Sequence, residues 1–97
     1  MRFVVYGDSM RPLFEPGDML RVSVFVYKIM RPRVGDAVVV RDPRTGRLIL
    51  KRIKRLEGAG YFVLGDNMVA STDSREFGII HKHEIVGKVV RKYDNSV

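Results

Sequence analysis

"RLILKRIKRLEG", residues 47–58, is the stretch that decides the fold class. Helical periodicity is poor here, as it is throughout the chain. The alternation is that of a strand, whose side chains point to opposite faces with a period of two. Arg47, Ile49, Lys51, Ile53 and Arg55 fall on one face. Leu48, Leu50, Arg52, Lys54 and Leu56 fall on the other. The segment is entered through "PRTG", residues 43–46, where Pro43 presets φ and Gly46 completes a tight turn. It runs out at Gly58.

Working outward, the same pattern of short apolar or alternating runs between Gly/Pro turns recurs. "RFVVYG" (residues 2–7) reads as a first strand, and "DMLRVSVFV" (18–26) as a second, entered by the turn "EPGD". "AVVVRD" (37–42) follows the turn "RPRVGD" as a third, and residues 47–58 are the fourth. "AGYFVLGDN" gives a fifth ending at Gly65, and "EIVGKVVRKY" (84–93) a sixth. Between the last two lies a polar, hydroxyl-rich loop, "MVASTDSREFGIIHKH". The expectation is one compact, mostly antiparallel β domain over residues 1–97 with little helix, its chemistry carried on long polar loops.

Composition narrows the classes. Ninety-seven residues at 45% hydrophobic content suit a single modest core. The absence of cysteine excludes disulfides, thiolate metal sites and a cysteine nucleophile. The longest apolar run, Val22 to Met30, is interrupted by Lys28 and is too short to span a bilayer, which takes about 18–20 residues. It reads as a core strand or as an exposed lip for substrate or membrane surface. As given, the chain is expected to be soluble and cytoplasmic, or membrane-associated if an anchor was trimmed away. The net charge of +7 raises anionic partners. However, the bases are spread along strands and turns, and no aromatic-rich strand forms a base-stacking platform, which disfavours nucleic acid. His81 and His83 face one way on an extended segment but lack a third ligand nearby in sequence, so no metal or other cofactor is expected.

The segment "VVYGDSMRPLFEPGD", residues 4–18, places Ser9 on a glycine-containing turn. Ser9 either caps a short helical turn or is a nucleophile. A serine hydroxyl needs a base, and Lys51, between two isoleucines on its strand face, is a candidate. A lysine there either snorkels to water or is buried. Burial disfavours its charged form and lowers its pKa. Moving it from about 10.4 to near 7 costs roughly 4–5 kcal/mol. A neutral lysine serving a serine is a recognised variant of triad chemistry. The loop "LGDNMVASTDSREFG" supplies further polar groups: Ser71 to orient the amine, and Asp73 with Arg75 to hold the loop's shape, unless that pair is only a surface contact worth under about 1 kcal/mol.

Three ordered segments, "GDSMRPLFEPGD", "VGDAVVVRDP…LILKRI" and "GDNMVASTDSREFG", together resemble the serine, lysine and Gly-Asp-Asn…Ser-x-Asp-Ser-Arg motifs of the signal peptidase I family, from about Val4 to Gly78. The resemblance implies a serine endopeptidase with Ser9 as nucleophile and Lys51 as general base. It also implies Ser71 as the hydroxyl that contacts the lysine, Asp73 and Arg75 as a structural ion pair, Met10 and Pro12 as residues shaping the serine turn, and Asp66 and Asn67 as the opening of the loop. The implied partner is a precursor protein whose N-terminal leader adds as an extended strand. Two features depart from the family pattern. Gly7 stands where a hydroxyl residue often helps bind the oxyanion, and neither a membrane anchor nor a large inserted domain is seen, as though this were the catalytic core alone. The loop at residues 65–78 is most similar to that of the small soluble nickel-type superoxide dismutase maturation proteases, which implies a dismutase precursor as substrate.

Two alternatives stay open. Self-cleaving repressors share the serine and lysine boxes, although eight residues before Ser9 leave little room for a cleavage loop. A non-enzymatic basic β-barrel would instead use "RPR", "RDPRTGR" and "KRIKR" on nucleic acid or anionic surfaces and would bind in a salt-dependent manner.

Overall fold

A computed structural model describes residues 1–93. Six strands form one antiparallel sheet: β1 (Arg2–Val4), β2 (Met19–Ser23), β3 (Ala37–Arg41), β4 (Leu48–Glu57), β5 (Gly60–Leu64) and β6 (Ile85–Lys92), in the order β1-β2-β6-β3-β4-β5. Two four-residue helices are added, α1 (Val26–Ile29) and α2 (Ser74–Phe77), along with short 3-10 turns at Met68–Ala70 and Lys82–Glu84. The mostly β reading and its scarcity of helix therefore hold. Among the described residues no helix is long and apolar enough to cross a membrane.

β3 lies inside the sheet, and Val38, Val39 and Val40 are each fully buried. A strand covered on both faces carries a continuous apolar run rather than an alternating one. The two faces hold separate cores. Val39 and Leu50 join Val5, Met10, Phe14, Leu20 and Val22 on one. Val38, Val40 and Ile53 join Tyr27, Val63 and Ile80 on the other. Lys51 pairs directly with Val38, so it stands on the second face.

Three local readings require correction. β1 ends at Val4, because Tyr6 and Gly7 turn away toward Ser9, with Gly7 at φ +78°, a conformation that favours glycine. The second strand stops at Ser23 rather than Val26. There the Ser23 hydroxyl accepts the Val26 N–H at 3.2 Å, a local bond that competes with the sheet ladder and starts α1. The run Val22–Met30 is thus neither a whole core strand nor a uniform lip. Val22 and Tyr27 are buried, while Phe25 and Ile29 are exposed. In β4 the register shifts between Ile53 and Arg55. Ile53 pairs with Val63 but Arg55 with Phe62, so the bulge sends Arg55 to the face opposite Ile53, its guanidinium 3.9 Å from the Phe62 ring centroid.

These placements predict a sharp contrast in urea unfolding. Leu20→Ala, in the fully buried core, should cost about 2–5 kcal/mol. Ile29→Ala should stay within about 0.5 kcal/mol. A comparable loss at Ile29 would contradict the exposed placement of α1.

Candidate active site

Lys51 is buried, with only 4% of its surface exposed. β4 sets it between Ile49 and Ile53 and opposite Val38, and its Nζ donates to Ser71 Oγ at 3.0 Å. Burial pushes its pKa below the ordinary lysine value. Asp73 pulls in the opposite direction, Arg75 adds to the depression, and Asp42 again opposes it. Burial prevails because both carboxylates are already committed to arginines: Asp73 to Arg75 at 2.9 Å and Asp42 to Arg44 at 3.3 Å.

Ser71 is delivered by the loop after β5, which is fastened from within. Asp73 is fully buried. It accepts from the Gly65 N–H at 3.1 Å and from Arg75 Nε and Nη2 at 2.9 and 3.1 Å. Burial alone would raise the Asp73 pKa, but the bonds from Arg75 and the backbone N–H of Gly65 outweigh it and hold the carboxyl below its ordinary range. Arg75 Nη2 also donates to the Met68 carbonyl at 2.8 Å. Ser74, the next residue, accepts the Val63 N–H at 2.9 Å and so ties α2 to β5. The pair Asp73–Arg75 thus joins a fully buried carboxylate to an exposed guanidinium that also bonds the loop backbone.

The same loop grips the Ser9 turn. Asn67 N–H donates to the Ser9 carbonyl at 2.8 Å, and Asn67 Nδ2 donates to the Asp8 carbonyl at 3.1 Å. Asp66 N–H reaches the sulfur of buried Met10 at 3.5 Å. Gly65 passes between the two halves of the site. A Cβ there would lie 2.2 Å from Ser71 Oγ and 2.7 Å from the Ser9 carbonyl oxygen. Only glycine fits this crossing. Pro12 is exposed at the far side of the turn, where the Phe14 N–H closes onto the Met10 carbonyl at 3.0 Å.

Ser9 and Lys51 line one cleft of about 400 Å³, together with Val5, Tyr6, Asp42 and Thr72. The expected set Ser9, Lys51, Ser71, Asp73, Arg75, Met10, Asp66 and Asn67 thus belongs to one neighbourhood. His81 and His83 do not line this cleft; they are exposed, with rings stacked at 5.9 Å. Sequence reasoning missed four residues. Gly65 was read only as a strand end. Arg52 grips Asp66 through two bonds of 2.8 Å and braces the loop from the other face of β4. Asp42 and Arg44, in the turn "RDPRTG", pair with each other and line the same cleft. The strand alternation that sends Arg52 away from Lys51 was the available signal for the second of these.

With this geometry in view, comparison with known proteins is direct. The chain matches the family described as signal peptidase, peptidase S26, over residues 1–60 and 54–93. It is 32% identical to the mitochondrial ATP-independent inner membrane protease subunit 1a of Arabidopsis thaliana, over 89% of this chain and 66% of that protein. It is 30% identical to subunit 1b of the same plant, over 88% of this chain and 64% of that protein. To signal peptidase I of Bacillus caldolyticus it is 28% identical, over 94% of this chain and 78% of that protein. The chain belongs to the signal peptidase family, peptidase S26. It spans slightly less than two-thirds of the length of the two Arabidopsis proteins. The Bacillus alignment runs over 141 positions against 97 residues here, so that relative carries segments this chain lacks.

Two substitutions test the site's construction. Gly65→Ala should destabilise by about 1–3 kcal/mol in urea unfolding, because backbone and Ser71 must move aside. Lys51→Met should change the pH dependence of stability. Between its depressed native pKa and the ordinary value of about 10.4, the unfolded chain binds more protons at Lys51 than the folded one, so intact stability rises with pH relative to the variant. A difference between the two that is independent of pH from about 7 to 10 would contradict the depressed lysine.

Proposed function

We propose that this single domain is a serine endopeptidase that removes an N-terminal leader from a precursor protein, with Ser9 and Lys51 as its reacting pair. The observation that carries this reading is Lys51 itself: a buried amine, bonded to Ser71, on the wall of the cleft that Ser9 also lines. Its partner is a hydroxyl, which accepts from the amine without forcing it to stay charged.

In the proposed reaction, neutral Lys51 Nζ takes the Ser9 hydroxyl proton as Oγ attacks the scissile carbonyl. The C–O bond forms and the carbonyl π pair moves to oxygen. Collapse expels the amine, which receives the proton from the Lys51 ammonium. Water, deprotonated by neutral Lys51, then attacks the Ser9 ester, and the leader leaves as its carboxylic acid while the Lys51 ammonium returns the proton to Ser9 Oγ. Ser71 keeps the lysine lone pair directed, and Asp73 with Arg75 keeps Ser71 in place.

Family membership supports a precursor substrate. The resemblance of residues 65–78 to the nickel superoxide dismutase maturation proteases supports a leader-bearing dismutase precursor as the particular one. The relatives' names include an inner membrane protease, and exposed Phe25, Ile29 and Met30 beside Lys28 offer a surface for membrane contact.

The test is cleavage of a nickel superoxide dismutase precursor and of a signal-peptide precursor, in parallel. Ser9→Ala and Lys51→Ala should each lower kcat by about three orders of magnitude or more. The intact chain's rate should rise with pH as Lys51 loses its proton, with a midpoint below lysine's ordinary value of about 10.4. Cleavage that survives Ser9→Ala would refute the pair. Preference for the signal-peptide precursor would remove the dismutase assignment alone.

A further inference from the structure

Gly7 has no side chain with which to hold a developing oxyanion, which leaves the backbone N–H groups near Ser9 as the donors next to the nucleophile. What aims them is visible in the carbonyls on the opposite edges of the same peptides. The Asp8–Ser9 peptide is trans, so its C=O and N–H point in opposite directions. The Asp8 carbonyl is held by Asn67 Nδ2 at 3.1 Å, with the Arg11 N–H on the same oxygen at 3.2 Å. The next carbonyl, that of Ser9, is held by the Asn67 backbone N–H at 2.8 Å. Two successive carbonyls therefore face one residue, and the N–H groups of Ser9 and Met10 face away from it. Asn67 is not part of the cleft wall, whereas Asp8, Ser9 and Met10 are. Among the described residues neither the Ser9 nor the Met10 N–H donates to a protein acceptor.

We propose that Asn67 is a positioning residue: its side-chain amide, by holding the Asp8 carbonyl, turns the Ser9 N–H into the cleft to receive the oxyanion, with the Met10 N–H beside it as the second donor. This rests on the peptidase reading above and adds what that reading lacks, a source for both donors in a chain with Gly7 at the usual hydroxyl position. Asn67 is itself held in line. The preceding residue, Asp66, is fastened to Arg52 by two bonds of 2.8 Å, and Arg52 to the Gly35 carbonyl at 2.8 Å. The aim of the Ser9 peptide is thereby referred back to β4, the strand that carries Lys51.

The experiment compares the intact chain with Asn67→Ala and Asn67→Asp. Both variants lose the amide donor and keep the backbone bond to the Ser9 carbonyl. The aspartate also keeps the side chain's shape, which guards against simple failure to fold, and urea unfolding checks each. Outright loss of one oxyanion donor costs about 10²–10³-fold in rate, so misaiming it should lower kcat by about tenfold or more, with KM changed by less than about twofold. In Asn67→Ala the pH midpoint should not move, because Lys51 is untouched. A peptide aldehyde, whose serine adduct carries the tetrahedral oxygen, should lose affinity in parallel with kcat/KM, and in the intact chain it should shift the Ser9 amide resonance. If kcat stays within about threefold in both variants, or if KM alone rises, Asn67 has no such role while the peptidase reading stands. If the intact chain neither cleaves nor shows a Ser9 amide shift with the aldehyde, both readings fall together.

Discussion

Burying the Lys51 amine is the constraint around which the rest of this small protein is arranged. A strand face of isoleucine and valine takes the amine out of water, and its hydrogen bond must then come from the protein. Ser71 supplies the partner at 3.0 Å, but Ser71 lies on a loop that would otherwise be free to leave. Asp73 and Arg75 turn that loop into a fixed part. Because Asp73 spends its charge on Arg75 and on the Gly65 N–H, it steadies the site without pinning the lysine in its charged form.

Adjacent residues of β4 do complementary work on the two faces of the sheet. Lys51 reaches Ser71 on one, and Arg52 reaches Asp66 on the other. The loop after β5 is thus held by one strand at two of its points, five residues apart. Asn67, between them, and Gly65, just before them, meet the Ser9 turn, so the position of the serine is measured from the strand that carries the lysine. The two loops are held in register by a short set of charge-assisted bonds and one glycine crossing.

The fold was legible wherever local pattern and tertiary demand agreed. The strand patterns of residues 47–58 and 37–42 located β4 and β3. Legibility failed where a side chain competed with the ladder. The Ser23 hydroxyl ends β2 early, and the bulge before Arg55 exchanges faces, and neither event leaves a periodic trace. In the site, Ser9, Lys51 and Ser71 could be named because their chemistry needs those residue types. Gly65 could not be singled out, because its importance lies in what a Cβ would strike, a fact about chain crossing. Asn67 was noted only as the opening of a loop. Its two bonds to the Ser9 turn join segments 58 and 59 positions apart.

The site is built around an amine whose surroundings disfavour its charge. The most direct measurement is the titration of Lys51 itself, followed by NMR through its side-chain carbon next to Nζ in the intact chain from about pH 6 to 11. The account predicts a midpoint distinctly below the ordinary lysine value of about 10.4. A midpoint at or above that value would contradict it, since the amine would then remain charged at the pH where it must accept the serine proton.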